Sequence, residues 1–151
     1  VDRNSVIVSG AVLFKNVGGS NRYFVVQDPS SGRWELVKLV VRKGESSVRA
    51  IIRLLGEKGG MSVRVVDEAG RFKNIATSNN KTVTQNNIFY VILFKLGSAD
   101  AFGFERGLWL EYSKAHQKLS DSNEKEMLKM GHIIARKWME RRKKQTSQAS
   151  Q

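Results

Sequence analysis

LVKLVVRKGESSVRAIIRLLGEKGGM, residues Leu36 to Met61, is the stretch that decides the fold. Val48, Ile51, Ile52 and Leu55 recur at the spacing of one helix face. Ser46 or Ser47 stands just ahead, where a hydroxyl can accept from a free first-turn N–H. Gly59-Gly60 ends the pattern, as glycine does when a chain leaves a helix in the left-handed region. A helix is therefore predicted over residues 46–58. Leu54, Glu57 and Lys58 fall within about one turn, so their side chains share one patch.

Moving outward, Ser5 to Lys15 (SVIVSGAVLFK) is β-branched and apolar and reads as a central strand. Arg22 to Gln27 reads as its hairpin partner, after a turn cluster at Asn16 to Asn21. A short extended piece follows at Trp34-Glu35-Leu36. Beyond the helix, Met61 to Val66 alternates as a strand, Glu68 to Arg71 reads as a turn, and Phe72 to Thr77 as another strand. Ser78 to Lys81 is a polar loop. Asn87 to Leu96 (NIFYVILFKL) is the most apolar segment and reads as the buried middle of a sheet. Gly97 to Gly103 reads as a loop, and Gly107 to Tyr112 as a last strand before a short helix. Met127, Met130, Ile134 and Trp138 give a final helix its apolar stripe, widened by Leu128 and Ile133. This order predicts an α+β fold, an α/β/α sandwich with a mixed sheet and a C-terminal helix. The expected domain spans residues 1–144, with the helix at 122–144, and residues 145–151 are expected to be a polar disordered tail.

The opening stretch resembles the Nudix box: G, five residues, E, seven residues, then R-E-apolar-x-E-E-x-G-apolar. Glu45 and Arg53 sit at the required spacing. Leu55, Glu57, Gly60 and Met61 fill their slots. Leu39 stands in place of the first glycine, Leu54 in place of the glutamate after the arginine, and Lys58 in place of the second paired acid. Trp34 to Lys38 resembles the family's W-x-L-P-K-G without its proline and glycine, and Glu105 to Leu110 its late E-x-x-x-W-apolar strand. The resemblance spans residues 5–119. Its layout is nearest to the diphosphoinositol-polyphosphate and diadenosine-polyphosphate hydrolases.

The resemblance implies that Glu45, Arg53 and Gly60 are structural, tying loop to helix and ending it. It also implies that acids at positions 54, 57 and 58 would hold divalent ions against a diphosphate. A hard cation such as Mg²⁺ needs oxygen ligands. Leucine offers none, and lysine places positive charge where the ion would sit. We therefore expect no catalytic residues, with Glu57 and Glu105 as remnants, and neither a metal nor any other cofactor. His116 and His132 lie far apart in the chain and lack ligand partners.

Lys+Arg is 26 against Asp+Glu 14, giving +12. Such a field draws polyanions, though it does not choose among them. Lys58, Arg3, Arg22, Lys38, Arg42, Lys43, Lys73 and Lys81 are the expected anion-binding set, placed around the cleft by the resemblance; ordinary surface charge is the alternative. Trp34 or Tyr90 is the candidate to stack a base, and core packing the commoner role. The basic run Arg136 to Lys144 is a nucleic-acid arm, a nuclear address or a solvated helix end. The absence of cysteine excludes disulfides and thiolate sites. No apolar run spans a bilayer, and no secretory signal pattern opens the chain, so no membrane partner and an intracellular location are expected.

The expected function is a catalytically inactive Nudix-like domain that binds RNA or a nucleotide-like polyphosphate, within a larger ribonucleoprotein or regulatory complex. One alternative is a protein-interaction scaffold. Another is a residual pyrophosphohydrolase, using Mg²⁺ with Glu57, Glu105 and acids such as Glu45, Asp67 or Glu68.

Overall fold

A computed structural model describes residues 4–97, 103–104 and 106–149. In chain order they form β1 (Ser5–Val17), β2 (Ser20–Gln27), β3 (Trp34–Glu35), β4 (Val37–Val40), α1 (Ser47–Gly59), β5 (Met61–Ser78), β6 (Lys81–Gly97), β7 (Gly107–Glu111), α2 (Tyr112–Lys118) and α3 (Ser122–Ala149). The strands make one sheet in the order β3-β2-β1-β6-β5, with β4 on β1 and β7 on β2. β1 and β6 are parallel, and the other pairs are antiparallel. The sheet is thus mixed.

β1 explains both the layering and the cleft. Its side chains alternate between faces. Ala11 and Leu13 point to a core shared with Ile51 and Leu55 of α1. Val12 and Phe14 point to a second core shared with Ala115 of α2 and Leu128 of α3. Both faces are covered, which is why the strand reads as a nearly unbroken apolar run. The strand pairs with β6 over residues 5–14. Its other edge is divided: residues 14–17 pair with β2 and residues 8–11 with β4. β2 and β4 therefore part company, and an opening is left between them.

Several elements differ from the sequence expectation. The anticipated turn at Glu68 to Arg71 is strand. β5 runs unbroken to Ser78, and its register slips between Val65 and Asp67 and between Glu68 and Gly70. Bulges of this kind absorb small residues without ending the pairing. β4 was not anticipated as a strand separate from the Trp34 piece. Both predicted loops contract to two residues with positive φ, Gly18-Gly19 (59° and 85°) and Asn79-Asn80 (51° and 63°), the hairpin geometry that matches strand twist.

α3 continues to Ala149 rather than ending at Lys144. Gln145, Gln148 and Ala149 favour helix there, and neither glycine nor proline intervenes. Most of its expected stripe faces the core: Met127 and Leu128 are buried and Ile134 and Trp138 pack against the same cluster, joined by Ala135, whereas Met130 is 39% and Ile133 40% exposed. At Gly131 the helix packs directly on the sheet, and a Cβ there would lie 2.6 Å from Val12 Cγ1. A search for apolar side chains passes over the one residue whose lack of a side chain sets the contact. No helix among the described residues is long and apolar enough to cross a membrane.

Candidate functional site

The opening between β2 and β4 is a cleft of about 600 Å³. Val26 and Gln27 form one rim, Val37 and Lys38 the other, and Leu54 and Lys58 of α1 line it together with Phe104 and Arg106. α1 is held by its own ends. The Ser46 hydroxyl accepts from Arg49 N at 3.3 Å. Gly60 takes φ 62°, and its N–H reaches back to Gly56 O and Leu55 O. The loop before the helix is clamped by a two-point ion pair. Arg53 Nε donates to Glu45 Oε2 at 2.8 Å, and Arg53 Nη2 donates to Oε1 at 3.0 Å. This fork holds the Glu45 carboxyl below the ordinary carboxylate range.

The opposite rim has a clamp of its own. Glu124, in the first turn of α3, is buried and accepts from Leu36 N at 2.6 Å. Lys38 Nζ donates to the other Glu124 oxygen at 2.8 Å and to Glu35 at 3.0 Å. Burial pushes the Glu124 carboxyl up, while Lys38 and the Leu36 N–H pull it back only in part. Nothing in the sequence patterning singles out Glu124, because its partners lie 86 and 88 residues away.

No protein-family model and no curated protein matches the chain. Solved structures do. The Ap4A hydrolase of C. elegans, in a binary complex, superposes with a TM-score of 0.62 at 15% identity, over 86% of this chain and 97% of that one. A NUDIX hydrolase from Nitrosomonas europaea gives 0.67 at 16%, over 85% and 88%. The NUDIX domain of Shewanella oneidensis NrtR, complexed with ADP ribose, gives 0.61 at 15%, over 87% and 89%. The chain has the Nudix hydrolase fold.

Within that fold, the helix face toward the cleft lacks the donors a divalent ion needs. Leu54 and Lys58 line the cleft. Glu57 does not; its side chain is 69% exposed and lies 3.8 Å from Arg53 Nη1. Lys58 Nζ sits 5.1 Å from the Phe104 ring centroid, a cation over an aromatic face. Among the described residues no three acidic, histidine or cysteine side chains gather as a metal site. One carboxylate beside an arginine, with an ammonium one residue on, does not fit Mg²⁺. Of the other acids considered for a hydrolase, Glu45 is committed to Arg53 and Glu68 to Arg71 at 2.8 Å. Asp67 accepts from Glu68 N. Glu105 and Arg3 lie outside the described residues.

The basic set does not gather around the Nudix cleft. Lys58 lines it. Lys38 lines it too, but its ammonium is committed to Glu35 and Glu124, so it is not the free cation expected. Arg22 sits five residues up β2 from Gln27, roughly 16 Å at strand rise, opposite Lys15 and Glu111. Its Nε is buried without a hydrogen-bond partner. Arg42 and Lys43 line a separate small hollow with Arg49 before α1. Lys73 pairs in register with Asn86, and Lys81 lies at the tip of the β5–β6 hairpin. That tip is the far end of β6 from Gly97, on the order of 50 Å along the strand. The aromatic candidates also have other roles. Tyr90 Oη bonds Ser47 Oγ at 2.5 Å, and Trp34 packs on the α3-side core beneath Lys118. Sequence reading missed Phe104 and Arg106, which follow a stretch read only as loop. Arg106 Nη1 donates to Gln27 Oε1 at 3.2 Å across the cleft mouth.

Proposed function

We propose that this chain is a Nudix-fold binding domain that takes an anionic partner, RNA or a nucleotide-like polyphosphate, without hydrolysing it. The observation that carries the reading is the pair Leu54 and Lys58, which face the cleft where two acids would be needed. With Lys38 neutralised, Lys58 and Arg106 are the cations left on the cleft wall. An ammonium there offers phosphate a point charge without a bound ion. The solved neighbour that holds ADP ribose and the one that acts on Ap4A nominate diphosphate-bridged nucleotides as first ligands. Inositol pyrophosphates join them, because the chain's layout resembles that branch as well. A chain at +12 suits a place inside a larger ribonucleoprotein or regulatory assembly.

The test combines turnover and binding. The protein is incubated with Mg²⁺ or Mn²⁺ and ADP ribose, a dinucleoside polyphosphate or an inositol pyrophosphate, and product is quantified. Filter binding of the same ligands and of RNA is measured across a salt series. Absence of turnover with binding that weakens steeply in salt supports the reading. Metal-dependent turnover that disappears in Glu57→Gln would overturn it, as would a failure to bind any polyanion.

A further inference from the structure

A second and larger hollow, about 1070 Å³, lies on the α3 face of the sheet, away from the Nudix cleft. The tip of the β1–β2 hairpin, the junction of β7 with α2, and the C-terminal half of α3 enclose it. Its size is at the upper end of small-ligand sites, and its walls combine three chemistries.

The first is aromatic. Tyr112 stacks on His132 with centroids 4.0 Å apart and planes 10° from parallel. Both rings are half-buried, and both line the hollow. The second is hydrogen-bonding. Asn16 Nδ2 donates to Asn21 Oδ1 at 3.0 Å at the hairpin tip, and Tyr23 Oη lies 2.6 Å from His132 Nδ1. Burial raises the tyrosine pKa, so Tyr23 keeps its proton. Burial, aided by Arg136, lowers that of the imidazole. A neutral ring that accepts from Tyr23 at Nδ1 carries its own proton at Nε2. The third is cationic. Arg136 and Lys143 follow the neutral His132 along one helix face at intervals of four and seven, and Arg142 flanks them. The Arg142 guanidinium rests 5.1 Å from the Trp138 ring, which Arg64 also approaches at 5.5 Å. Trp138 thus braces the cation before any ligand arrives.

Two carboxylates, Glu111 and Glu140, share the walls, so the hollow is not a uniformly positive track for a duplex. Carboxylates can accept from exocyclic base amines, and half-open rings offer a base a flat apolar surface. Basic residues seven apart on the helix are about 10 Å apart along its axis, enough to meet more than one phosphate. We propose that this groove seats single-stranded nucleic acid, its bases against Tyr112 and His132 and its phosphates on Arg136, Arg142 and Lys143. This rests on the polyanion-binding reading above and gives that partner a location outside the Nudix cleft.

The experiment is fluorescence anisotropy of the full chain with labelled oligo(U) and oligo(dT), repeated across a salt series. The Arg136→Gln/Arg142→Gln double variant should bind at least about tenfold more weakly at low salt, with a salt slope reduced by about 1.4. Arg141→Gln/Lys144→Gln removes the same charge from the same helix outside the groove and should stay within about twofold of wild type. Circular dichroism and Tm establish that both variants are folded. Tyr112→Leu, read with the same probes, should weaken binding without changing the salt slope. If both double variants lose affinity equally, helix charge alone is responsible and the groove proposal falls while polyanion binding stands. If wild type binds polyphosphates but neither oligonucleotide, the groove proposal alone falls. If it binds no polyanion at all, both readings fall.

Discussion

Two sets of side chains on and beside α1 do different work. In the first, Glu45, Ser46 and Arg53 are satisfied by one another and by the backbone. One residue further on, Leu54, Glu57 and Lys58 form no such closed set: two of them face the cleft, and the third is largely exposed. The first group fixes where the helix sits. The second determines what the cleft can hold. These tasks separate because a framework group acts through partners within the protein, whereas a lining group acts on what enters from solvent. A change in the second group therefore need not disturb the first. The same split recurs across the cleft, where Glu124 holds the rim and Arg106 faces the opening.

If the split is real, framework variants should appear in stability and lining variants in ligand binding. The largest stability loss is expected at Glu124. Glu124→Ala leaves the Leu36 N–H and the Lys38 ammonium without their buried partner, a loss of about 3 kcal/mol. Tm should fall by roughly 6–12 °C. Glu124→Gln keeps an acceptor for Leu36 and should lose clearly less. Equal stability of Glu124→Ala and wild type in urea titrations would place the rim's support elsewhere.

The Glu45–Arg53 fork predicts a pH signature. Its folded-state carboxyl lies below the ordinary range. The stability it supplies is therefore fully present above the unfolded carboxylate value of about 4.3 and is lost as pH falls through the folded value. The Tm difference between wild type and Arg53→Gln should be full at neutral pH and shrink in acid. A difference that grows in acid would mean that the fork is not the source.

On the lining side, Leu54→Glu/Lys58→Glu should create a Mg²⁺ site, weak and on the order of millimolar, readable by calorimetry. A variant with acids at 54, 57 and 58 that still ignores Mg²⁺ would show that Glu57 is aimed too far outside the cleft. Lys58→Gln should weaken polyphosphate binding by about fivefold, roughly 1 kcal/mol, and leave Tm in place.

The helix caps, the Glu45–Arg53 spacing and the apolar strands were legible because each is local or carries its period within a short window. Gly60 was legible as a stop, and φ 62° is the reason. What escaped was set by contacts between distant residues. Lys38 reads as a surface cation until Glu124 arrives from 86 residues away. Gly70 and its neighbours read as a turn because bulges and turns use the same small residues, and only the pairing partner β6 distinguishes them. The basic residues look like one footprint when a cleft is imagined around them. The length of the β5–β6 hairpin carries Lys73 and Lys81 away from it. Conversely, His132 and the Arg136 to Lys144 run looked unrelated to Tyr112 and Asn21. One hollow brings parts of all these segments together.

The smallest expected effect discriminates most finely, and it concerns Glu57. The Arg53 fork already spends Nε and Nη2 on Glu45, which leaves only Nη1, 3.8 Å away, for Glu57. An exposed pair of that length contributes little. Glu57→Gln should therefore change stability by less than about 0.5 kcal/mol. It should also leave polyphosphate and oligonucleotide affinity as in wild type, since the side chain lines neither hollow. A residual hydrolase makes the opposite demand, because Glu57 is the one acid kept at the three positions where the resemblance places metal ligands. A silent substitution keeps α1 divided into a framework and a ligand-facing surface without metal chemistry. A substitution that abolishes metal-dependent turnover would join Glu57 to the lining after all, and the division would have to be redrawn between Arg53 and its two carboxylates.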